Sequence, residues 1–130
     1  MNIKDLAKKY KLKHEDFWKH KASGDWILTH NACTRIGNIE GIVLNNIESI
    51  YQSETECRFL ITMTKEDNTI ISVGEANKQN CTSRYLGCMA EKRGRDRCVL
   101  KLINAYEYGM YSEEESDDFK KENNKWGSVE

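Results

Sequence analysis

The sequence of 130 residues contains no proline, and no apolar run in it approaches the ~18 residues that a membrane-spanning helix requires. Without a proline-marked linker we predict one domain over residues 1–120, followed by a flexible tail over residues 121–130. The chain is charged from Lys4 onward and shows no signal-peptide pattern. These features predict a cytoplasmic protein that does not contact a membrane.

Sequence motifs for catalysis are also missing. The chain has no P-loop and no GxGxxG, GxSxG or HExxH motif, which excludes an ATP-driven recombinase or helicase. Glu75 and Lys78 do not form the acid-x-lysine pattern that a metal-dependent nuclease places on a strand. The five cysteines include no CxxC pair, and Cys81, Cys88 and a histidine lack the spacing of zinc ligands. We predict reduced thiols, no metal, no cofactor and no enzymatic activity.

The net charge of -1 conceals a segregation of charge along the chain. The N-terminal region is rich in lysine, residues 80–106 are basic, and residues 113–118 are acidic. A pI near 6.3 argues against a generally cationic protein, but it allows a local groove for nucleic acid.

Residues 80–106 carry the longest helical pattern in the sequence. Five side chains share one arc of this helix, which predicts a face packed against a core. They are Tyr85, Met89, Val99, Ile103 and Tyr106. On a neighbouring face, Arg93, Arg97 and Lys101 follow one another at i, i+4 spacing and form a basic stripe. The stripe suits a phosphate backbone, but a solvated helix face has the same pattern, and spacing alone leaves both interpretations open.

Two features interrupt the apolar arc of this helix. Lys92 and Asp96 project onto it as an i, i+4 ion pair, and Gly94 between them costs about 1 kcal/mol relative to alanine. Packing alone rarely selects both features, which favours a role for the helix beyond the core.

Apolar and polar residues alternate from Ile42 onward, which indicates strands. Turn-forming residues at 53–55 and 66–68 divide the segment into three, so we predict an antiparallel meander whose one face is covered by the long helix. The alternating positions are Val43, Ile47 and Tyr51, then Phe59, Ile61 and Met63, then Thr69, Ile71 and Val73.

Shorter helices are predicted on both sides of the meander. Residues 2–20 have near-helical apolar spacing and predict one amphipathic helix or two short ones. Thr29 can cap a short helix from His30 to about Ile36, ended by Gly37. We interpret His30 as structural, because no cysteine or aspartate stands at a catalytic spacing from it.

A capping-box pattern at Ser112 and Glu115 predicts a short acidic helix through Phe119, and Trp126 is a candidate anchor for the tail. The predicted fold class is therefore α+β: a three-stranded antiparallel meander covered by one long helix, a β-β-β-α core, with N-terminal helices and a short acidic C-terminal helix.

Four sequence segments together resemble phage single-strand annealing proteins, which belong with the Erf-like and eukaryotic Rad-type annealing proteins. They are GEAN at residues 74–77, AEKRGRDR at 90–97, YSEEESDDF at 111–119 and EDFWKHKASGDWILTHNAC at 15–33. The resemblance covers most of the chain and rests on the combination. Gly94 stands where alanine is expected, and Leu86 follows Tyr85 where proline is common.

The resemblance implies ATP-independent binding of single-stranded DNA and annealing of complementary strands in phage recombination, in the host cytoplasm. It also implies a homo-oligomeric ring or filament, with a single-strand-binding protein as a further partner. An annealing protein must hold phosphates and leave base edges open, so cationic side chains should make the contacts. The candidate DNA-binding residues are Lys78, Arg84, Lys92, Arg93, Arg97 and Lys101. We expect Arg93→Ala with Arg97→Ala to weaken binding and leave the fold intact.

Two other interpretations stay open at this point. A small phage-encoded inhibitor of a host defence nuclease could use the same scaffold to bind protein, which the segregated acidic stretch permits. A double-stranded RNA-binding domain has α-β-β-β-α order, but it is usually shorter, and the linker before the predicted sheet is too long for it.

Overall fold

The structure, a computed structural model, describes residues 2–78 and 85–113. Arg84, Trp126, the predicted tail at 121–130 and the predicted acidic helix beyond residue 113 lie outside these ranges. Three α-helices are described: α1 (Ile3–Tyr10), α2 (His30–Glu40) and α3 (Leu86–Leu102). Six strands are described: β1 (Phe17–Lys19), β2 (Trp26–Leu28), β3 (Val43–Gln52), β4 (Glu56–Lys65), β5 (Asn68–Asn77) and β6 (Met110–Ser112). Short 3-10 helices span His14–Asp16 and Ala105–Tyr108.

The strands form two three-stranded sheets, which corrects the prediction of a single meander. Strands β3, β4 and β5 do form the predicted antiparallel meander, and α3 packs across β4 and β5. The second sheet has the order β1-β2-β6, in which β1 and β2 are antiparallel and β2 and β6 are parallel. Its strands are three residues long, too short for the alternation of apolar and polar side chains to become visible in sequence.

The N-terminal region is less helical than predicted. Helix α1 ends at Tyr10 because Lys11 adopts a left-handed conformation with φ 54° and donates its N–H to Ala7 O. The chain then enters the 3-10 turn and β1, so the prediction of helix as far as residue 20 was wrong. Helix α2 continues past Gly37 to Glu40 and ends at Gly41, which is left-handed with φ 73°.

The covered face of β5 is the opposite of the one its apolar residues suggest. Ile71 is 50% exposed and Val73 is 37% exposed. The residues between and beyond them point at α3 and are buried: Ile70, Ser72, Gly74 and Ala76. Three of these four are small, which brings the helix close to the sheet. The outer face of the meander consequently carries apolar side chains in solvent.

Two glycines set the distance between α3 and the sheet. A Cβ added at Gly74 would overlap the carbonyl oxygen of Ala90, and a Cβ added at Gly94 would overlap the Ile61 side chain. Gly94 is therefore required by close packing and does not loosen the helix. It occupies the position where the helix backbone crosses nearest to β5.

The N-terminal helix is held to the rest of the core by a network around Glu40. The buried hydroxyl of Tyr10 donates to Glu40 Oε2 at 2.5 Å, and Lys65 Nζ donates to Glu40 Oε1 at 2.5 Å. The hydrogen bonds from Lys65 and Tyr10 hold the pKa of Glu40 below its ordinary value. Three elements, α1, α2 and β4, meet at this carboxylate.

Within residues 2–78 and 85–113, none of the helices combines the length and the apolarity needed to cross a membrane.

Candidate nucleic-acid interface

The basic stripe of α3 lies along the edge of the meander. Among the described strands β5 lies at the edge of its sheet, so none of them pairs with its outward carbonyls. Arg93 Nη1 donates to the Glu75 carbonyl at 2.9 Å, and Arg97 Nη1 donates to the Val73 carbonyl at 2.6 Å. The third member of the stripe, Lys101, donates from Nζ to a carbonyl further along the same strand, at 3.0 Å. The carbonyls of Ile71, Val73 and Glu75 thus each accept a hydrogen bond from a cationic side chain of α3.

The regular spacing of these three hydrogen bonds follows from matching repeats in the helix and the strand. Four helical residues rise about 6 Å, and two strand residues advance about 6.6 Å. Helix α3 runs antiparallel to β5, because ascending helix numbers meet descending strand numbers. An i, i+4 series of cations on α3 therefore stays in step with every second carbonyl of β5.

Exposure divides the stripe into a buried and a solvent-facing part. Arg93 is only 1% exposed and lies beneath the helix, so it cannot reach a phosphate in solvent. Its guanidinium donates a hydrogen bond to the Glu75 carbonyl, which would otherwise lack a partner at a partly buried position of the strand edge. The pair Arg93→Ala and Arg97→Ala consequently cannot test DNA binding with the fold undisturbed.

Arg97 and Lys101 make up the solvent-facing part. The Arg97 side chain is 23% exposed, and Lys101 is exposed. Both side chains donate to neutral carbonyls of β5. Arg97 also forms an ion pair with the well-exposed carboxylate of Glu75 at 3.9 Å, and an ion pair this exposed to solvent contributes little free energy.

Lys78 is a further cation, one residue past the end of β5. It is exposed, and its backbone N–H donates to the Thr55 carbonyl at 3.2 Å, which fixes where the strand leaves the sheet. We call Arg97, Lys101 and Lys78 together the cationic ridge. The ridge contains three of the six residues that the sequence nominated.

The remaining two described candidates lie away from the ridge or beneath it. Lys92 is half-buried on the side of α3 that faces α2, where it lines two clefts together with His30. Arg93 is covered, and Arg84 lies outside the described residues. A single basic surface containing all six residues is therefore not what the described part of the chain presents.

A buried polar cluster was missed by sequence reasoning. Asp96 is 1% exposed, and its Oδ1 lies 2.8 Å from Nδ1 of His30. The Ser112 hydroxyl donates to Asp96 Oδ2 at 2.9 Å. The cluster joins α2, α3 and β6 and identifies the acidic partner that His30 lacked in sequence. The available signal was an aspartate on the apolar arc of α3, which requires buried hydrogen-bond donors from elsewhere.

Ser112 is the last residue of β6, and its hydroxyl donates to Asp96. The acidic helix that it was predicted to cap lies beyond the described residues. Among the described residues no group of three or more histidine, cysteine, aspartate or glutamate side chains is arranged to hold a metal ion. The cluster is a buried set of hydrogen bonds that joins α2, α3 and β6.

Comparison with known proteins adds no relative to this geometry: no family model, curated protein or solved structure matches the chain.

Proposed function

We propose that the chain binds single-stranded DNA along the cationic ridge and anneals complementary strands without ATP, as its sequence resemblance to phage single-strand annealing proteins implies. The observation that carries the proposal is the placement of Arg97 and Lys101. Both side chains are fixed on carbonyls of β5, and both retain access to solvent.

Fixing the cations favours phosphate binding for two reasons. A side chain that is already ordered loses less rotamer entropy when a phosphate binds. The ammonium of Lys101 has three N–H donors, so its bond to the Ile71 carbonyl uses only part of its capacity. Contacts of this kind carry no sequence information, which is what pairing of arbitrary complementary strands requires.

The length of the ridge bears on assembly. From Ile71 to Lys78 the strand extends roughly 23 Å, at about 3.3 Å per residue. This length accommodates only a few nucleotides, so longer strands require ridges from neighbouring copies. We accordingly include a homo-oligomeric ring or filament in the proposal.

The test compares two charge-matched double variants. Arg97→Gln with Lys101→Gln removes two positive charges from the ridge and keeps donors for the carbonyls. Lys4→Gln with Lys8→Gln removes two charges from exposed positions of α1. Fluorescence anisotropy with a labelled oligonucleotide at several salt concentrations measures affinity, and a strand-pairing assay measures annealing.

The ridge variant is expected to bind more weakly and to lower the slope of log K against log salt by about 1.4, at about 0.7 per lost phosphate contact. Annealing should slow in parallel, and the α1 variant should behave like the wild type. Equal affinity and equal salt slope in all three proteins would remove the ridge from the proposal.

The inhibitor interpretation has one observation in its favour, the exposed apolar outer face of the meander. Surfaces of this kind commonly bind other proteins. A protein that acts only as an inhibitor would neither retard oligonucleotides nor accelerate pairing, and it would remain a small oligomer of defined size. The binding and pairing assays therefore separate the two functions.

A further inference from the structure

The outer face of β5 carries apolar side chains next to the cationic ridge. Ile71 and Val73 project into solvent there, and the half-buried Leu60 of β4 is the cross-strand partner of Val73. Together these three side chains form a contiguous apolar surface at the edge of the sheet, which we call the apolar strip. Leaving such a strip in contact with water is unfavourable.

The strip and the ridge are built on the same residues. The carbonyl of Ile71 receives Lys101, and the carbonyl of Val73 receives Arg97, while the two side chains point to the outer face. Each of these two cations is thereby paired with one apolar side chain, and the two pairs lie two residues apart on β5. A polymer with a repeating anion and a repeating flat apolar group has the complementary pattern.

We infer that the nucleobases of the bound single strand lie on the apolar strip while its phosphates lie on the ridge; the inference rests on the proposed function. A base that contacts the strip through its flat face leaves its pairing edge open, as annealing requires. In a duplex both faces of each base are stacked on neighbours, so the strip has nothing to bind. The strip is thus the element that selects single strands over duplexes.

An aromatic side chain lies further across the same face. Tyr51 of β3 is half exposed, and the Arg58 guanidinium stands 5.7 Å from the centre of its ring. Tyr51 and Arg58 are cross-strand partners, so the pair is held in place by the sheet. It offers a stacking position to a base that extends beyond the strip.

The charge beside the apolar strip favours a nucleic acid over a second protein. Arg97 and Lys101 donate to carbonyls of the same strand that carries Ile71 and Val73, so an anionic polymer meets positive charge and apolar surface together. A strand of nucleic acid needs only a narrow track along β5, with the charge on the ridge and the apolar contact beside it.

The experiment compares three ligands of equal length: an ordinary single-stranded oligonucleotide, an abasic oligonucleotide with the same phosphates, and a duplex. The variant Ile71→Thr with Val73→Thr makes the strip polar and keeps β-branched residues in the strand. The control, Val43→Thr with Ile50→Thr, makes the same changes at exposed positions of β3, at the opposite edge.

The wild type should bind the ordinary oligonucleotide roughly tenfold more tightly than the abasic one, because base contacts add to phosphate contacts. The strip variant should lose most of this difference and keep the abasic affinity, which also shows that it is folded. The β3 control should retain the full difference.

Equal affinity of the wild type for ordinary and abasic oligonucleotides would overturn the inference, and salt-dependent binding of both would leave the proposed function standing. Absence of binding to any of the ligands would overturn the proposed function itself. Equal losses in the strip variant and the β3 control would overturn the location on β5.

Discussion

The two edges of the meander solve the same problem in different ways. An edge strand exposes backbone hydrogen-bonding groups that invite pairing with another chain. At the β3 edge the register with β4 shifts twice, between Leu44 and Asn46 and between Ser49 and Tyr51, and such irregularities discourage regular pairing. At the β5 edge the carbonyls are instead occupied by cations from α3. Only the second solution leaves ordered positive charge at the surface.

This comparison shows that an edge strand can gain surface charge while its backbone carbonyls are still hydrogen-bonded. The α3 cations at the β5 edge satisfy backbone carbonyls, and Arg97 and Lys101 also carry positive charge at the surface. The bulges of β3 bend the strand without contributing charge. Substitutions at corresponding positions of the two edges should therefore have unequal effects on folding.

The largest expected effect is that of Gly74→Ala at the β5 edge. The added methyl group would overlap the Ala90 carbonyl, so α3 has to move away from the sheet. We expect a loss of about 3 kcal/mol or more in the free energy of unfolding. Ser49→Ala at the exposed β3 edge should change it by less than about 0.5 kcal/mol. Chemical denaturation measures both; similar values would contradict the close approach of α3.

Arg93→Met should be the next largest effect. The substitution keeps much of the aliphatic volume but removes the donor to the Glu75 carbonyl, at a cost of about 2 kcal/mol. Arg58→Met, on the exposed outer face, is the matched control and should cost under about 1 kcal/mol. A thermal melt of Arg93→Met that overlays the wild type would show that the buried guanidinium is dispensable.

A cation held by a carboxylate should differ from one held by a carbonyl in its response to pH. Glu40, bonded to Lys65, has a folded-state pKa below its ordinary value of 4.5, so the contribution of this pair to stability is present above about 4.5. It is lost as the pH falls through the folded-state pKa. Glu40→Gln should lower stability near neutral pH by less than Arg93→Met does, and it should flatten the acid limb of the stability curve. An unchanged acid limb would contradict the pairing.

The smallest effect concerns thiol reactivity on the two sides of α3. Cys98 faces the sheet, where its thiol lies near the Ile61 and Ile70 carbonyls and burial raises its pKa. Cys88 is exposed on the same helix. In a Cys81→Ser background, a thiol reagent should modify Cys88 first and leave Cys98 unmodified until the protein unfolds. Equal modification rates at both thiols would contradict the orientation of α3 in which Cys98 faces the sheet.

The long elements of the fold could be predicted from the sequence, and the short ones could not. Three alternating segments and the apolar spacing of Met89 and Val99 are long enough to predict the meander and its covering helix. The predicted arc was wrong at its ends, because Tyr85 is exposed and Tyr106 lies in the 3-10 helix that follows α3. Strands β1, β2 and β6 are defined by pairing between distant segments, which a local pattern does not contain. The face of β5 was also misjudged, because the small residues that admit α3 are less conspicuous than Ile71 and Val73.

The sequence predicted that the cations of the candidate site share one face of α3, but it did not predict which of them are exposed to solvent. The i, i+4 repeat placed Arg93, Arg97 and Lys101 on one face, and they do share one row. Burial of Arg93 depends on the glycines of two different elements, and only their contact in three dimensions reveals it. Lys92 shares the helix but faces α2, because a shift of one residue rotates a side chain by about 100°.

The parallel pairing of β2 with β6 has a consequence for how the chain acquires its structure. The two strands come from opposite ends of the described chain, and the nearby bond between His30 and Asp96 spans 66 residues. Bringing such distant segments together is entropically costly before other contacts have formed, so the small sheet should close late in folding. During synthesis the small sheet can therefore be completed only after β6 has left the ribosome.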